Sequence, residues 1–155
     1  MERTSIDVRP IRSEDHAEWL PLWHAFFAFH GRSIPDAVTA ATFGRLCDPL
    51  QPMHALVADG GDGLAGFVTF IFHPDTVTIG PVCYLKNLFT HADARGRGIG
   101  RALIHAVYDA ADQAGAERVT WLVQEGNTAA MRLYDTLATR TGFVQYRKDL
   151  IRSAR

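Results

Sequence analysis

The stretch Ala94 to Ile104, ARGRGIGRALI, packs three glycines and three arginines into eleven residues. It follows an apolar, strand-like run and opens a helical pattern, so it constrains the fold more than any other segment. Glycines at 96, 98 and 100 permit positive φ and let a ligand approach the backbone without a Cβ in the way. The helix that follows presents unpaired first-turn amides, and a strand, a glycine loop and a helix N-terminus together make a nest for an anion, most naturally phosphate. Arg95, Arg97 and Arg101 add charge-assisted hydrogen bonds. Read without a ligand, the same residues are a tight strand-to-helix turn.

Two nucleotide signatures fail on spacing. The residues three beyond Gly98 and Gly100 are Arg101 and Leu103, so G-x-G-x-x-G is absent, and no lysine stands between Lys86 and Lys148 to complete a Walker loop.

Around this segment the hydrophobic period alternates between the two regular types. IDVRPIR reads as a first strand, and Ser13 is placed to cap a helix that carries Glu14 and Asp15 in its first turn. Trp19, Leu22, Trp23, Phe26, Phe27 and His30 then recur at helical spacing, which gives an aromatic face for core packing or for lining a substrate groove. A second helix spans about Asp36 to Cys47 and stops at the prolines of DPLQP. HALVAD and LAGFVTFIFH are strands joined by the glycine turn GGDG, and YLKNLFT is the next. A helix from Ile99 to about Ala114 ends at Gly115. RVTWLV is a short strand, Thr128 to Ala138 a short helix, and FVQYRKDLI a final strand. This order predicts an α/β (α+β) fold: a mixed, mostly antiparallel sheet with helices on both sides.

With 155 residues and 47% hydrophobic content, the chain suits one domain over 1–155. A net charge of −1 provides no global basic field for nucleic acid. No apolar run approaches the roughly 18 residues of a membrane span, and MERTSIDVRP has no apolar stretch of the signal-peptide kind. Cys47 and Cys83 have neither zinc-knuckle nor redox-pair spacing, which fits a reducing cytoplasm. There is no H-E-x-x-H, and His24 and His30 miss one-turn spacing, so no metal is expected.

RGRGIG resembles the acetyl-coenzyme A loop, [RQ]-x-x-G-x-[GA], of the GNAT N-acetyltransferases, with Arg95, Gly98 and Gly100 in its fixed places. NTAAMRLY is similar to that family's N-x-x-A-x-x-x-Y, with Asn127, Ala130 and Tyr134 in register. VRPIRSEDHAEWLPLW, FGRLCDP and AVYDAADQAGAERVTWLVQEGN look most like the histone and polyamine acetyltransferase branch, which includes relatives of spermidine/spermine and D-amino-acid N-acetyltransferases.

The resemblance implies a GNAT fold and an acyltransferase that moves acetyl from acetyl-CoA to a primary amine of a small molecule, amino acid or exposed lysine, and it implies a homodimer. Arg95, Gly96, Arg97, Gly98, Ile99, Gly100 and Arg101 would bind the pyrophosphate. Leu88, Phe89 and Thr90 would pair with the pantetheine arm, with the Phe89 amide facing the thioester oxyanion. Asn127, Ala130 and Tyr134 would flank the cofactor, and Tyr134 would protonate the departing thiolate. Without the Asn127 and Ala130 register, Tyr134 reads as a tyrosine packed on an amphipathic helix with its hydroxyl at the surface. Glu125 is the best carboxylate for the base, with His30, His73 and His91 as alternatives. The chain departs from its polyamine-acetylating relatives at Lys86 and Asn87, where those have acids. A non-catalytic coenzyme A sensor of the same fold is the competing reading.

Overall fold

The computed structural model describes residues 5–152, in two compact units, Met1–Leu122 and Val123–Arg155. In the first unit a five-stranded sheet has the order β1-β2-β3-β4-β5. Its strands are β1 (Asp7–Pro10), β2 (Met53–Asp59), β3 (Leu64–His73), β4 (Val82–Thr90) and β5 (Val119–Thr120). The first four are antiparallel and β5 runs parallel to β4. The predicted mixed, mostly antiparallel sheet is therefore the one formed.

Three helices belong to this unit: α1 (His16–Phe29), α2 (Asp36–Leu46) and α3 (Ile99–Gln113). Pleating sends alternate residues to opposite faces. On one face Val57, Phe67 and Phe89 share a cross-strand row. Trp19 and Trp23 of α1 pack there with ring centroids 6.3 and 6.1 Å from Phe67. On the other face Val68 is buried, and α3 lies against β1 to β4 with Leu103, Ile104 and Val107 buried. The aromatic stripe of α1 is thus chiefly core: Trp19, Leu22, Trp23 and Phe27 are buried with Ala55, Val57 and Phe67. The Trp23 indole N–H donates to Thr39 Oγ1 at 3.0 Å and ties α1 to α2.

Local chemistry revises three boundaries. Ser13 does not cap; the Asp15 carboxylate reaches back to the Arg12 amide at 2.7 Å, so Ser13–Asp15 is a 3-10 turn before α1. RVTWLV contributes only Val119–Thr120, because its ladder to β4 pairs only Cys83↔Val119 and Tyr84↔Thr120. FVQYRKDLI forms no strand, and Phe143, Val144, Tyr146 and Ile151 stand exposed. Alternating residues give a strand its faces, but hydrogen bonds to a neighbour make it a strand. In the second unit α4 (Thr128–Asp135) is three residues shorter than predicted. It closes as the Thr136 amide and hydroxyl both turn to the Leu133 carbonyl.

Candidate active site

The first unit brings the strand and loop candidates together around one edge of β4. Because β5 pairs with β4 only at Cys83 and Tyr84, the β4 edge from Leu85 to Thr90 has no strand beside it among the described residues. Which amides face that edge follows from the ladder. The His91 amide donates to the Ala65 carbonyl at 2.7 Å, so 91 and 65 form a hydrogen-bonded pair. Bonded and non-bonded pairs alternate in an antiparallel ladder. The amides of Phe89 and Asn87 therefore point at β3, and those of Leu88 and Thr90 point to the open edge. This corrects the oxyanion assignment: the Phe89 N–H is taken by its pair with Phe67, and the Leu88 N–H is the one available. Thr90 agrees, since its carbonyl accepts from Arg95 Nε at 3.3 Å on that edge.

Arg95 itself bends back. Its guanidinium lies 5.7 Å from the Phe89 ring centroid and 6.0 Å from that of Phe29. It clamps the end of β4 to the loop by cation–π contact as well as by the bond to Thr90. Arg97 is exposed on the loop, as is Arg101 in the first turn of α3.

The glycines divide by conformation. Gly96 and Gly98 have φ of 79° and 76°. A Cβ on either would meet nothing within 4 Å, so the space over the loop is open. Gly98 is the N-cap of α3 and has no side chain to cap it. The Ile99 and Gly100 amides consequently have no acceptor among the described residues. Gly100 is helical and needs no positive φ. Uncapped amides at a helix N-terminus, a loop without Cβ atoms and three arginines suit a pyrophosphate well.

A cleft opens on the α2 side of the same strand. Asn87 pairs with Thr69 and Leu85 with Phe70, so Lys86 is the extra residue of a β-bulge. Thr42, Leu46, Met53, Thr69, Lys86 and Asn87 line a small, solvent-open cleft with Phe70 and Ile71. Register, which sequence does not display, locates both this cleft and the Leu88 amide.

The second unit holds the remaining candidates. Asn127 is the N-cap of α4, and its Oδ1 accepts from the Ala130 amide at 3.4 Å. The N-x-x-A spacing is thus that of a helix cap bonding its N3 amide. Tyr134 lies in the last turn, half-buried; a phenol is protonated at neutral pH in any case, and burial pushes its pKa above the ordinary value. Glu125 is exposed on the turn before the cap. The histidines proposed as alternative bases lie in the first unit. His91 Nδ1 accepts from the Asp93 amide at 3.1 Å, His73 Nδ1 lies 2.8 Å from the Pro74 carbonyl, and the His30 ring packs on Phe26. No group of three or more His, Cys, Asp or Glu able to hold a metal occurs among the described residues.

The acetyltransferase (GNAT) family profile matches residues 17–138, which include the open strand, the glycine loop and α4. The chain belongs to the GNAT acetyltransferase family. Among curated relatives of this GNAT protein, a D-amino-acid N-acetyltransferase of Saccharomyces cerevisiae is 31% identical over 152 residues, covering 96% of this chain and 94% of the relative. The thialysine N-epsilon-acetyltransferase of Caenorhabditis elegans is 28% identical, covering 87% of each chain. The ribosomal-protein-alanine N-acetyltransferase structure from Brucella melitensis biovar Abortus 2308 superposes with a TM-score of 0.80 at 24% identity, over 94% of this chain and 100% of that one. AAC(6')-Iy in complex with a coenzyme A bisubstrate analogue gives 0.75 at 18%, over 97% and 99%. These two likenesses establish the fold. The family and the curated relatives together make this GNAT protein an N-acetyltransferase, an enzyme that moves acetyl to amines.

Proposed function

We propose that the enzyme transfers acetyl from acetyl-CoA to a primary amine of a small molecule or amino acid, or to an exposed lysine. The observation that carries this reading is the open β4 edge running into an uncapped, arginine-flanked helix N-terminus. The loop from Arg95 to Arg101 holds the pyrophosphate. Leu88 and Thr90 offer the pantetheine amides the alternating pattern of a strand edge. The Leu88 N–H stabilises the oxyanion that forms as the amine nitrogen attacks the thioester carbonyl. Tyr134, a phenol protonated at neutral pH and pushed further up by burial, donates to the departing thiolate. Glu125 is the carboxylate assigned to take the proton from the attacking ammonium, directly or through water. The chain is read as one domain over 1–155, a homodimer, and a resident of the cytoplasm. Its two free thiols support that placement: Cys83 is buried, its pKa pushed up to about 11, and Cys47 is half-buried and raised as well. Both are kept as inert thiols.

The test is a thiol-release assay with acetyl-CoA against amines, amino acids and lysine-bearing peptides. Acceptor-dependent release is expected. Tight coenzyme A binding without release from any acceptor would favour a sensor.

A further inference from the structure

The cleft at the β4 bulge has an unusual chemistry for a site that receives an amine. An amine acceptor is cationic at neutral pH and would be attracted by acids, yet among the described residues no acidic side chain lines the cleft. Its polar lining is Lys86, Asn87, Thr42 and Thr69. Asn87 is only 8% exposed. Its Oδ1 accepts from the Thr69 hydroxyl at 2.6 Å, which fixes the amide and commits the Thr69 proton. The two Nδ2 protons of Asn87 then have no acceptor among the described residues, and the amide nitrogen is left accessible at the cleft. Lys86 forms no ion pair among the described residues; its ammonium rests 5.8 Å from the Tyr84 ring centroid. The site thus sets an accessible amide donor beside a full positive charge, with no carboxylate among the described lining residues to meet either.

We propose that this anion is the carboxylate of the acceptor, and that Lys86 and Asn87 select α-amino acids. The inference rests on the acetyl-transfer reading above and narrows its substrate. Spacing agrees. At about 3.3 Å per residue, the Leu88 amide lies about 7 Å along the strand from Lys86. The amine nitrogen of an α-amino acid is about 3 to 4 Å from its carboxylate oxygens by standard bond lengths. With one hydrogen bond of about 2.8 Å and the flexible four-carbon stem of Lys86, the interval is within reach. A carboxylate held at the bulge therefore has the reach to bring its own amine to the acyl carbon held at Leu88, and the ammonium of a polyamine meets Lys86 as a like charge.

The experiment compares kcat/KM for D- and L-leucine, leucinamide and isoamylamine in the wild type, Lys86→Gln and Asn87→Asp, with coenzyme A affinity by calorimetry in each. The wild type is expected to prefer one leucine enantiomer over leucinamide and isoamylamine on the order of tenfold or more, the worth of a hydrogen-bonded charge. Lys86→Gln should erase most of that ratio through KM. Asn87→Asp keeps an acceptor for the Thr69 hydroxyl but sets a carboxylate against the substrate's, so the ratio should invert. Coenzyme A affinity should stay within twofold throughout. Isoamylamine turned over as well as leucine by the wild type, or an unchanged ratio in Lys86→Gln, overturns the carboxylate site and leaves acetyl transfer standing. Absence of coenzyme A binding in the folded wild type overturns both.

Discussion

At the scale of single residues, the two αL glycines and one phenol make the sharpest claims. Gly98→Val forces a β-branched side chain into φ of 76° and projects it into the open space over the loop. Coenzyme A affinity is expected to fall at least a hundredfold, on the order of the contacts such a nest supplies, with the far-UV circular dichroism of the wild type retained. Unchanged calorimetric affinity in the folded variant would reduce the loop to a turn. Tyr134→Phe keeps the ring and removes the proton. Turnover should drop by about 10² to 10⁴, as for a lost general acid, with coenzyme A affinity little changed. A thiolate is a tolerable leaving group, so the loss belongs at the lower end. Because burial raises the Tyr134 pKa, the alkaline fall in turnover should lie above the ordinary phenol value of about 10 and vanish in the Phe variant. Wild-type rates for Tyr134→Phe in single turnovers would take the residue out of the mechanism.

At the scale of elements, the sheet edge and the entry to α1 are joined by one ionic cluster. Arg9 on β1 donates to Asp15 at 2.8 and 2.9 Å and to Asp59 on β2 at 3.1 Å. Asp15 also holds the Arg12 amide. The Arg9 hydrogen bond keeps the Asp15 carboxyl below its ordinary value, and the Gly61 amide with Arg9 does the same for Asp59. For groups with depressed folded values, the stabilisation is complete above the unfolded value near 3.9 and is lost as pH falls through the folded value. Asp15→Ala leaves Arg9 and the Arg12 amide without their shared acceptor and should cost about 3 kcal/mol at pH 7. Denaturant titrations should show that difference shrinking as pH drops below 4. A deficit independent of pH would assign the loss to packing instead.

At the scale of the whole molecule, the prediction concerns association. Phe143, Val144, Tyr146 and Ile151 are exposed on a segment that carries strand-like alternation without forming a strand. Exposed apolar side chains of this kind suit an interaction surface, and a second copy is the occupant in the homodimer proposed above. Sedimentation equilibrium should return twice the 17.2 kDa chain mass, and Phe143→Asp with Tyr146→Asp should return the monomer. A wild-type monomer at micromolar concentration would dismiss the dimer.

What the sequence determined by itself lies in period and spacing. Alternation gave β1 to β4 within a few residues, 3.6-residue spacing gave the helices, and the loop and α4 motifs named the family, because local sterics and amphipathic burial are written into neighbouring side chains. The Asn127 cap with Ala130 was legible as a spacing, although its mechanical reason appears only in the bond between them. What tertiary structure decided depends on partners far apart in the chain. FVQYRKDLI has the period of a strand and no ladder. Arg95 belongs by motif to the phosphate loop, yet its side chain turns to Phe89 and Phe29. Phe89 and Leu88 are adjacent, but only the register fixed by His91 and Ala65 says which amide faces the open edge. The bulge at Lys86, and the cleft it makes with α2, exist because β3 and β4 slip by one residue. Pairing energy sums over a whole ladder, and no single segment records it.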